Sequence, residues 1–334
     1  MSDALYVGAK VRAVTAVAIL FFVAVGVYLY TMGGSTGVIH VRSILSLFEG
    51  IVWDSLPFLV IGVTLSSVVD VLSARRAFSS LLSTRIKSHA LAATLGLALP
   101  VCDCGVAPVA RTMRRRGVPE ATAMTFALAT PTLNIISIAA TFVAFHGSWS
   151  MVLWRVGAVL LLSLSIGVLL SRLQGDATDV YQQSSVRVEP ARKTLATAEH
   201  MTRHAIGELV AIGPFLILSA LIAATAQELW PLRAVTAFTQ HSLWSIPLMM
   251  ALGGMLSLCS EADAFVAAGL ASLFSPGAIL AFLLAGQLVD IRNMMVFPSV
   301  FQQRTIWTAL PLAALFVFVI SVMANYFFLG RWTL

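Results

Sequence analysis

The chain has 334 residues, of which 59% are hydrophobic and 11% are charged, and its mean hydropathy is +0.91. A soluble domain carries roughly 25% charged residues, and a soluble fold of this length could not bury so much apolar side chain, which leaves an integral membrane protein. The net charge of +6 does not indicate a nucleic-acid partner, because the basic residues lie in short clusters between apolar stretches, as in the cytoplasmic loops of membrane proteins. With three cysteines, the chain is not a disulfide-stabilised scaffold.

Seven stretches have the length and apolar content of full transmembrane helices, which need about 18 to 20 residues. In chain order they are residues 13–32, 44–69, 121–145, 151–170, 206–226, 278–291 and beyond, and 306–328. The first belongs to an N-terminal segment, 1–43, which we expect to be a retained transmembrane helix because its apolar run is longer than the core of a cleaved signal peptide.

Two further apolar segments, 88–118 and 245–275, contain residues that interrupt helices. Proline removes a backbone donor and glycine frees the chain, so we expect each segment to break and form a helical hairpin. The expected helix-breaking residues of the first half, including one beyond the hairpin, are Pro100, Gly105, Pro108 and Pro131. A hydrophilic linker, 173–203, separates a first repeat at 44–172 from a second at 204–334.

The two halves of the chain resemble each other. Sliding the sequence by 157 residues places Pro57 on Pro214, Gly96 on Gly253, and Cys102 on Cys259. Matches of proline, glycine and cysteine on one diagonal indicate a duplication, which is common among transporters.

The distribution of basic residues predicts the topology. If both interrupted segments are re-entrant hairpins, seventeen of the 21 Lys and Arg residues face the cytoplasm, whereas full crossings divide them almost evenly. The hairpin arrangement puts the N-terminus and the linker in the cytoplasm, the C-terminus outside, and Arg155 near the outer boundary. The helices of Pro57 and Pro214 then run in opposite directions, so the repeat is inverted and one hairpin enters from each face.

The tip of the first hairpin carries Cys102, Asp103 and Cys104. Two thiols beside a carboxylate suit a soft solute, although free cysteines also pack as small apolar side chains. A carboxylate inside a membrane segment is expensive and is usually functional.

The tip of the second hairpin carries Cys259, Glu261 and Asp263. Two carboxylates within a membrane cannot both stay ionised without partners, so at least one is protonated or paired. Either is a candidate proton carrier, and the alternative is a structural pair satisfied by helix ends.

Polar residues also follow each hairpin, namely Asn134 in the first half and Asp290 and Asn293 in the second. Asn134 needs a partner and is a candidate solute contact. Arg292 is either part of the same site or an interfacial charge neutralised by Asp290. The chain has no Gly-Lys pair of a phosphate-binding loop and no histidine near the cysteines, so we expect no metal and no cofactor.

These motifs resemble those of a bacterial family of predicted permeases that includes the organoarsenical efflux permeases (ArsP) and YraQ-type proteins. The resemblance is carried by residues 102–109, 117–119, 131–134, 259–267 and 289–293. It implies a permease, which in some members exports trivalent organoarsenicals through thiol contacts. The chain departs from the family pattern at Ile135 and Gln287, where the family often has proline, and an arsenical substrate does not follow from the resemblance.

The sequence therefore predicts an all-α integral membrane protein with an inverted-topology repeat, about seven full transmembrane helices and two re-entrant hairpins. We expect a secondary transporter of a small, thiophilic or metalloid-containing solute. It lies in the bacterial cytoplasmic membrane in contact with the lipid bilayer, and the sequence does not specify its oligomeric state. The alternatives are a passive channel and a membrane thiol oxidoreductase. The oxidoreductase is disfavoured because a Cys-x-Cys disulfide ring is strained.

Overall fold

The computed structural model describes residues 35–73, 87–98, 101, 103–174, 194–229 and 244–328. Within these ranges the chain is helical and contains no strand. The helices are α1 Ser35–Ser73, α2 Lys87–Ala98, α3 Asp103–Arg115, α4 Glu120–Leu133, α5 Ile135–Ala144, α6 Trp149–Gln174, α7 Thr194–Leu229, α8 Ser245–Leu256, α9 Ser260–Leu270, α10 Pro276–Leu288, α11 Ile291–Val296, a 3-10 turn Phe297–Ser299, and α12 Gln303–Phe328.

The order and the lengths of the helices repeat between the two halves. α1 and α7 have 39 and 36 residues and contain Pro57 and Pro214, α2 and α8 have 12 residues each, and α6 and α12 have 26 each. Three pairs of corresponding helices pack against each other, namely α1 with α7, α4 with α10, and α6 with α12. Contacts between the two halves therefore include three pairs of corresponding helices.

The centre of the molecule is formed by α4 and α10, which are buried along almost their whole length. α2 packs against α4 and α8 against α10, and a glycine permits each close approach. A Cβ atom added at Gly96 of α2 would lie 2.7 Å from the Cα of Thr130, and one at Gly253 of α8 would lie 2.5 Å from the carbonyl oxygen of Phe282. The two glycines that the 157-residue shift aligns thus have the same packing role.

Five stretches in the described part of the chain are long and apolar enough to cross a membrane, which makes this a multi-pass membrane protein. They are Val41–Ser67, Glu120–Ala144, Trp149–Leu173, Pro276–Ser299 and Gln303–Phe327. They coincide with five of the seven stretches expected from the sequence. Of the other two, 13–32 lies outside the described residues, and 206–226 corresponds to the apolar part of α7 at Gly213–Thr225.

The prediction that Gly105 and Pro108 break the first hairpin is wrong, because both lie inside α3. Gly105 has a packing role, since a Cβ on Gly62 of α1 would overlap its backbone. Pro108 lies in the second turn of α3, where its missing N–H costs only one helical hydrogen bond, and its carbonyl accepts a hydrogen bond from Ser66 Oγ. The chain leaves the helix before Asp103, in a connection whose Pro100 and Cys102 lie outside the described residues.

Residues 194–203 of the predicted linker are helical and form the start of α7. Residues 175–193 of that predicted linker lie outside the described residues.

Candidate functional site

The second tip is the connection between α8 and α9, where Ser257 has left-handed backbone angles (φ 46°, ψ 42°). Three long side chains from other helices donate hydrogen bonds to main-chain carbonyls around this turn. Gln227 of α7 donates to Leu256 over 2.8 Å, Arg292 of α11 to Ser257 over 2.6 Å, and Arg155 of α6 to Ser260 over 2.9 Å. Helices from both halves therefore fix the position of this tip.

Glu261 and Asp263 lie in the first turn of α9, where the helix dipole favours negative charge. Asp263 is fully buried and Glu261 half-buried, and neither carboxylate accepts a hydrogen bond among the described residues. The carboxylate of Asp263 lies directly against α10, since a Cβ on Gly286 would be 2.7 Å from its Oδ2. Buried carboxylates without hydrogen bonds are costly to maintain, so these two require compensation from nearby charges or a proton.

Arg155, which we expect near the outer membrane boundary, is buried inside the protein, with 1% of its surface exposed. Besides its bond to Ser260, its guanidinium donates to Thr141 Oγ1 of α5 over 2.5 Å. It interacts electrostatically with the carboxylates of Asp263, Glu261 and Asp103. Arg155 thus faces acidic residues of both hairpins.

Asp103, the first residue of α3, is the buried carboxylate of the first tip. Besides Arg155, it interacts electrostatically with Cys259, a free and half-buried thiol at the start of α9. Cys104 lies in the first turn of α3. The carboxylate of Asp103 in the first tip and the thiol of Cys259 in the second are therefore close enough to interact.

The first central span, α4 and α5, is broken at Asn134 (φ −55°, ψ 132°). The side-chain oxygen of Asn134 accepts a hydrogen bond from the N–H of Ile136 over 2.9 Å and caps α5. The prediction of a helix break at Pro131 is wrong by three residues, because the helix continues through Pro131 and the N–H of Asn134 still donates to Thr130 over 3.1 Å.

The second central span, α10 and α11, is broken at the corresponding place. Asp290 caps α11 by accepting from the N–H of Asn293 over 2.9 Å, and the Asn293 amide donates to the carbonyl of Gln287 over 2.7 Å. Arg292 is buried and donates a hydrogen bond to the second tip.

The two breaks meet in the interior, where Thr132 Oγ1 donates a hydrogen bond to Gln287 Oε1. Both side chains are buried, and Gln287 follows the glycine against which Asp263 lies. Thr132, Gln287 and Arg155 were not among the site residues expected from the sequence. The signal that could have found them is a polar or charged side chain within an apolar span, which is expensive in a membrane and usually functional.

Asp263 interacts electrostatically with Arg155, Asp290, Arg292 and Glu261, and Asp103 interacts with Arg155. Among the described residues, these interactions involve four carboxylates and two guanidinium groups. Among the described residues no three His, Cys, Asp or Glu side chains are arranged to hold a metal ion. The cluster is suited to binding protons and neutral or positively charged solutes.

Interrupted helices that bring polar groups together between two similar halves of a membrane protein are characteristic of transport proteins. The chain belongs to the ArsP_1 family of predicted permeases, which matches residues 40–326. It is therefore a membrane permease, and the family resemblance found in its motifs is confirmed.

The chain aligns with two relatives over nearly the whole length of each. The chain is 33% identical over 282 residues to the UPF0718 protein YcgR of Bacillus subtilis, covering 84% of this chain and 96% of the relative. It is 30% identical over 286 residues to a putative two-component membrane permease complex subunit of Streptococcus mutans serotype c, covering 84% and 94% respectively. No solved structure matches the chain.

Proposed function

We propose that this permease is a secondary transporter of the bacterial cytoplasmic membrane that binds a small solute between its two hairpin tips. The observation that carries the proposal is the cluster in which Asp103 of the first tip and Glu261 and Asp263 of the second interact with one buried guanidinium, that of Arg155. Transporters built from inverted repeats bind their solutes where interrupted segments meet.

The proposed architecture is an inverted repeat with seven full spans and two re-entrant hairpins. The hairpin arms α2, α3, α8 and α9 have 12, 13, 12 and 11 residues. At 1.5 Å per residue each rises roughly 16 to 20 Å, about half of a membrane core of roughly 30 Å. The repeated order of helices and the distribution of basic residues support this arrangement.

The composition of the site favours particular solutes. Because carboxylates outnumber guanidinium groups, the site favours a neutral or cationic solute and opposes an anion. Cys102, Cys104 and Cys259 would add soft ligands, so thiophilic and metalloid-containing solutes are the candidates. Glu261 and Asp263 would carry the coupling protons, while Asn134, Asp290 and Asn293 would complete the pocket.

The test uses the purified chain in vesicles and a trivalent organoarsenical as the probe. Cys102→Ser and Cys104→Ser are each expected to lower the initial flux at least about tenfold, which corresponds to the loss of roughly 1.4 kcal/mol of binding. Expression should not change, and a thiol reagent should block flux unless the probe is present. A fully active double serine variant would show that these cysteines only pack.

The same vesicles distinguish the competing functions. A carrier gives flux that saturates with solute concentration and responds to an imposed pH gradient. The flux through a passive channel neither saturates nor responds to the pH gradient. A trapped mixed disulfide at Cys102 or Cys104 would favour the oxidoreductase. The Streptococcus mutans relative is named as a subunit of a two-component complex, and copurification of a second membrane protein would test whether the present chain also has such a partner.

A further inference from the structure

Arg155 connects three helices at the centre of the protein. It belongs to α6 and donates hydrogen bonds to Thr141 of α5 and to the main-chain carbonyl of Ser260 at the start of α9. Among the described residues its Nε has no hydrogen-bond partner. A guanidinium buried this completely loses its hydration, so it requires compensation from neighbouring groups.

The two groups that accept hydrogen bonds from Arg155 carry no formal charge, because one is a hydroxyl and the other a carbonyl. Its charge is balanced instead by the carboxylates of Asp263, Glu261 and Asp103, with which it interacts electrostatically. The carboxylates in turn depend on Arg155. Asp263 and Glu261 accept no hydrogen bond among the described residues, and Asp263 interacts electrostatically with Arg155. Removing one side of a buried charge pair leaves the other uncompensated.

We propose that Arg155 is a positioning residue that holds the first turn of α9 in place and provides the counter-charge of the acidic residues at both hairpin tips. The carboxylates of Glu261 and Asp263 remain available to the solute because Arg155 balances their charge without occupying their oxygens with hydrogen bonds. This inference rests on the proposed function only where it concerns the solute. The charge relation itself holds in the solute-free protein.

The structural part is tested by a double-mutant cycle on the thermal unfolding of the purified full chain in nanodiscs, without solute. Arg155→Gln keeps an N–H donor but removes the charge, and we expect it to lower Tm by roughly 5 to 15 °C. Arg155→Lys keeps the charge and should recover most of that loss. Asp263→Asn should raise Tm in the Arg155→Gln background, because it removes an uncompensated carboxylate, and lower or leave it unchanged in the wild type.

Arg114 provides a matched control, because it forms a buried ion pair of 2.9 Å with Glu120 away from the hairpin tips. Asp263→Asn should not raise Tm in an Arg114→Gln background. Equal effects of Asp263→Asn in the Arg155→Gln and wild-type backgrounds would overturn the counter-charge role. If Arg155→Gln does not fold, recovery of folding in the double variant supports the proposal and failure of both variants contradicts it.

Flux of the organoarsenical probe then tests the positioning role. Arg155→Gln should lower flux at least about tenfold, and Arg155→Lys should retain flux with a raised KM. Full flux in Arg155→Gln would overturn the positioning role. A positive unfolding cycle together with no flux in the wild type would leave the assignment of Arg155 intact and count against the proposed function.

Discussion

At the scale of single residues, the contact between Asp263 and Gly286 shows how a carboxylate reaches the centre of this protein. The helix α10 carries no side chain at position 286, so the carboxylate of Asp263 can approach its backbone closely. Gly286 directly precedes Gln287, whose side chain accepts the hydrogen bond from Thr132 between the two helix breaks. A small residue here is therefore a requirement of the site and not only of helix packing.

Gly286→Ala is expected to disturb the site while the protein still folds. The added Cβ would lie 2.7 Å from Oδ2 of Asp263, so the carboxylate must move. Alanine is the better helix former by roughly 1 kcal/mol, which offsets part of the strain. We expect flux in vesicles to fall at least about tenfold with a small change in Tm.

The control for Gly286→Ala is Gly269→Ala in α9, because a Cβ at Gly269 would meet no atom within 4 Å. It should leave flux unchanged. Wild-type flux in Gly286→Ala would show that the position of Asp263 is unimportant for transport.

Glu261→Gln is expected to remove the pH dependence of transport, because an amide of the same size cannot carry a proton. The protein should still fold and insert, since Glu261 is only half-buried and accepts no hydrogen bond among the described residues. The measurement is initial flux across a series of pH values. Glu49→Gln, at an exposed position of α1, is the control. An unchanged rate and pH profile in Glu261→Gln would assign Glu261 a structural role.

The acidic members of the site were accessible to sequence reasoning, and Arg155 was not. Asp103, Glu261 and Asp263 follow helix-breaking or polar motifs inside apolar segments. A carboxylate is energetically costly in such a segment and is usually functional. A single arginine near the predicted start of a span is usually an interfacial charge whose long side chain reaches water. Only the hydrogen bonds from Arg155 to Thr141 of α5 and to Ser260 of α9 show that its side chain points inward.

At the scale of elements, each of the two central spans is interrupted at a residue whose side chain caps the next helix. Asn134 and Asp290 each leave the helical conformation, and each side-chain oxygen accepts a backbone N–H of the helix that follows. Short helices thus begin at α5 and α11, and Asp290 at the start of α11 belongs to the acidic cluster. The sequence indicated a break in the first central span but placed it at Pro131, because a proline near a helix end is tolerated. The break at Asp290 was not predicted.

Asn134→Ala is expected to destabilise the protein by about 1 kcal/mol, because it removes the side-chain cap of α5. For a chain of this size that corresponds to a decrease of roughly 2 °C in Tm. Asn134→Asp keeps the oxygen acceptor and serves as the matched control for the cap. Thermal unfolding in nanodiscs measures both. Equal Tm values for Asn134→Ala and the wild type would show that the cap does not stabilise the break.

At the scale of the whole molecule, polar contacts link the two halves at both the centre and one end. The bond from Thr132 to Gln287 joins the helix breaks. Elsewhere Glu120 pairs with Arg114 over 2.9 Å and accepts the N–H of Gln302 over 2.7 Å, which ties the start of α4 to the start of α12. The sequence repeat suggested two related halves. Which helices meet across them depends on packing, which the repeat alone does not specify.

The inverted arrangement makes a prediction about topology that reporter fusions can test. If 88–118 is a re-entrant hairpin, Arg116 is cytoplasmic, as is the linker at Arg187, whereas a full crossing would place both outside. The prediction rests on the seventeen basic residues that the hairpin arrangement assigns to the cytoplasm. We expect alkaline phosphatase fused at Arg116 or Arg187 to be inactive and a fluorescent protein at the same positions to be bright.

Two further fusions calibrate that experiment, because both arrangements agree on them. Arg76 should be cytoplasmic and Leu334 external in either case, so phosphatase should be inactive at the first and active at the second. With these controls satisfied, an active phosphatase at Arg116 would mean that the first hairpin crosses the membrane. The helices of Pro57 and Pro214 would then run in the same direction, and both the inverted repeat and the meeting of the two tips from opposite faces would have to be abandoned.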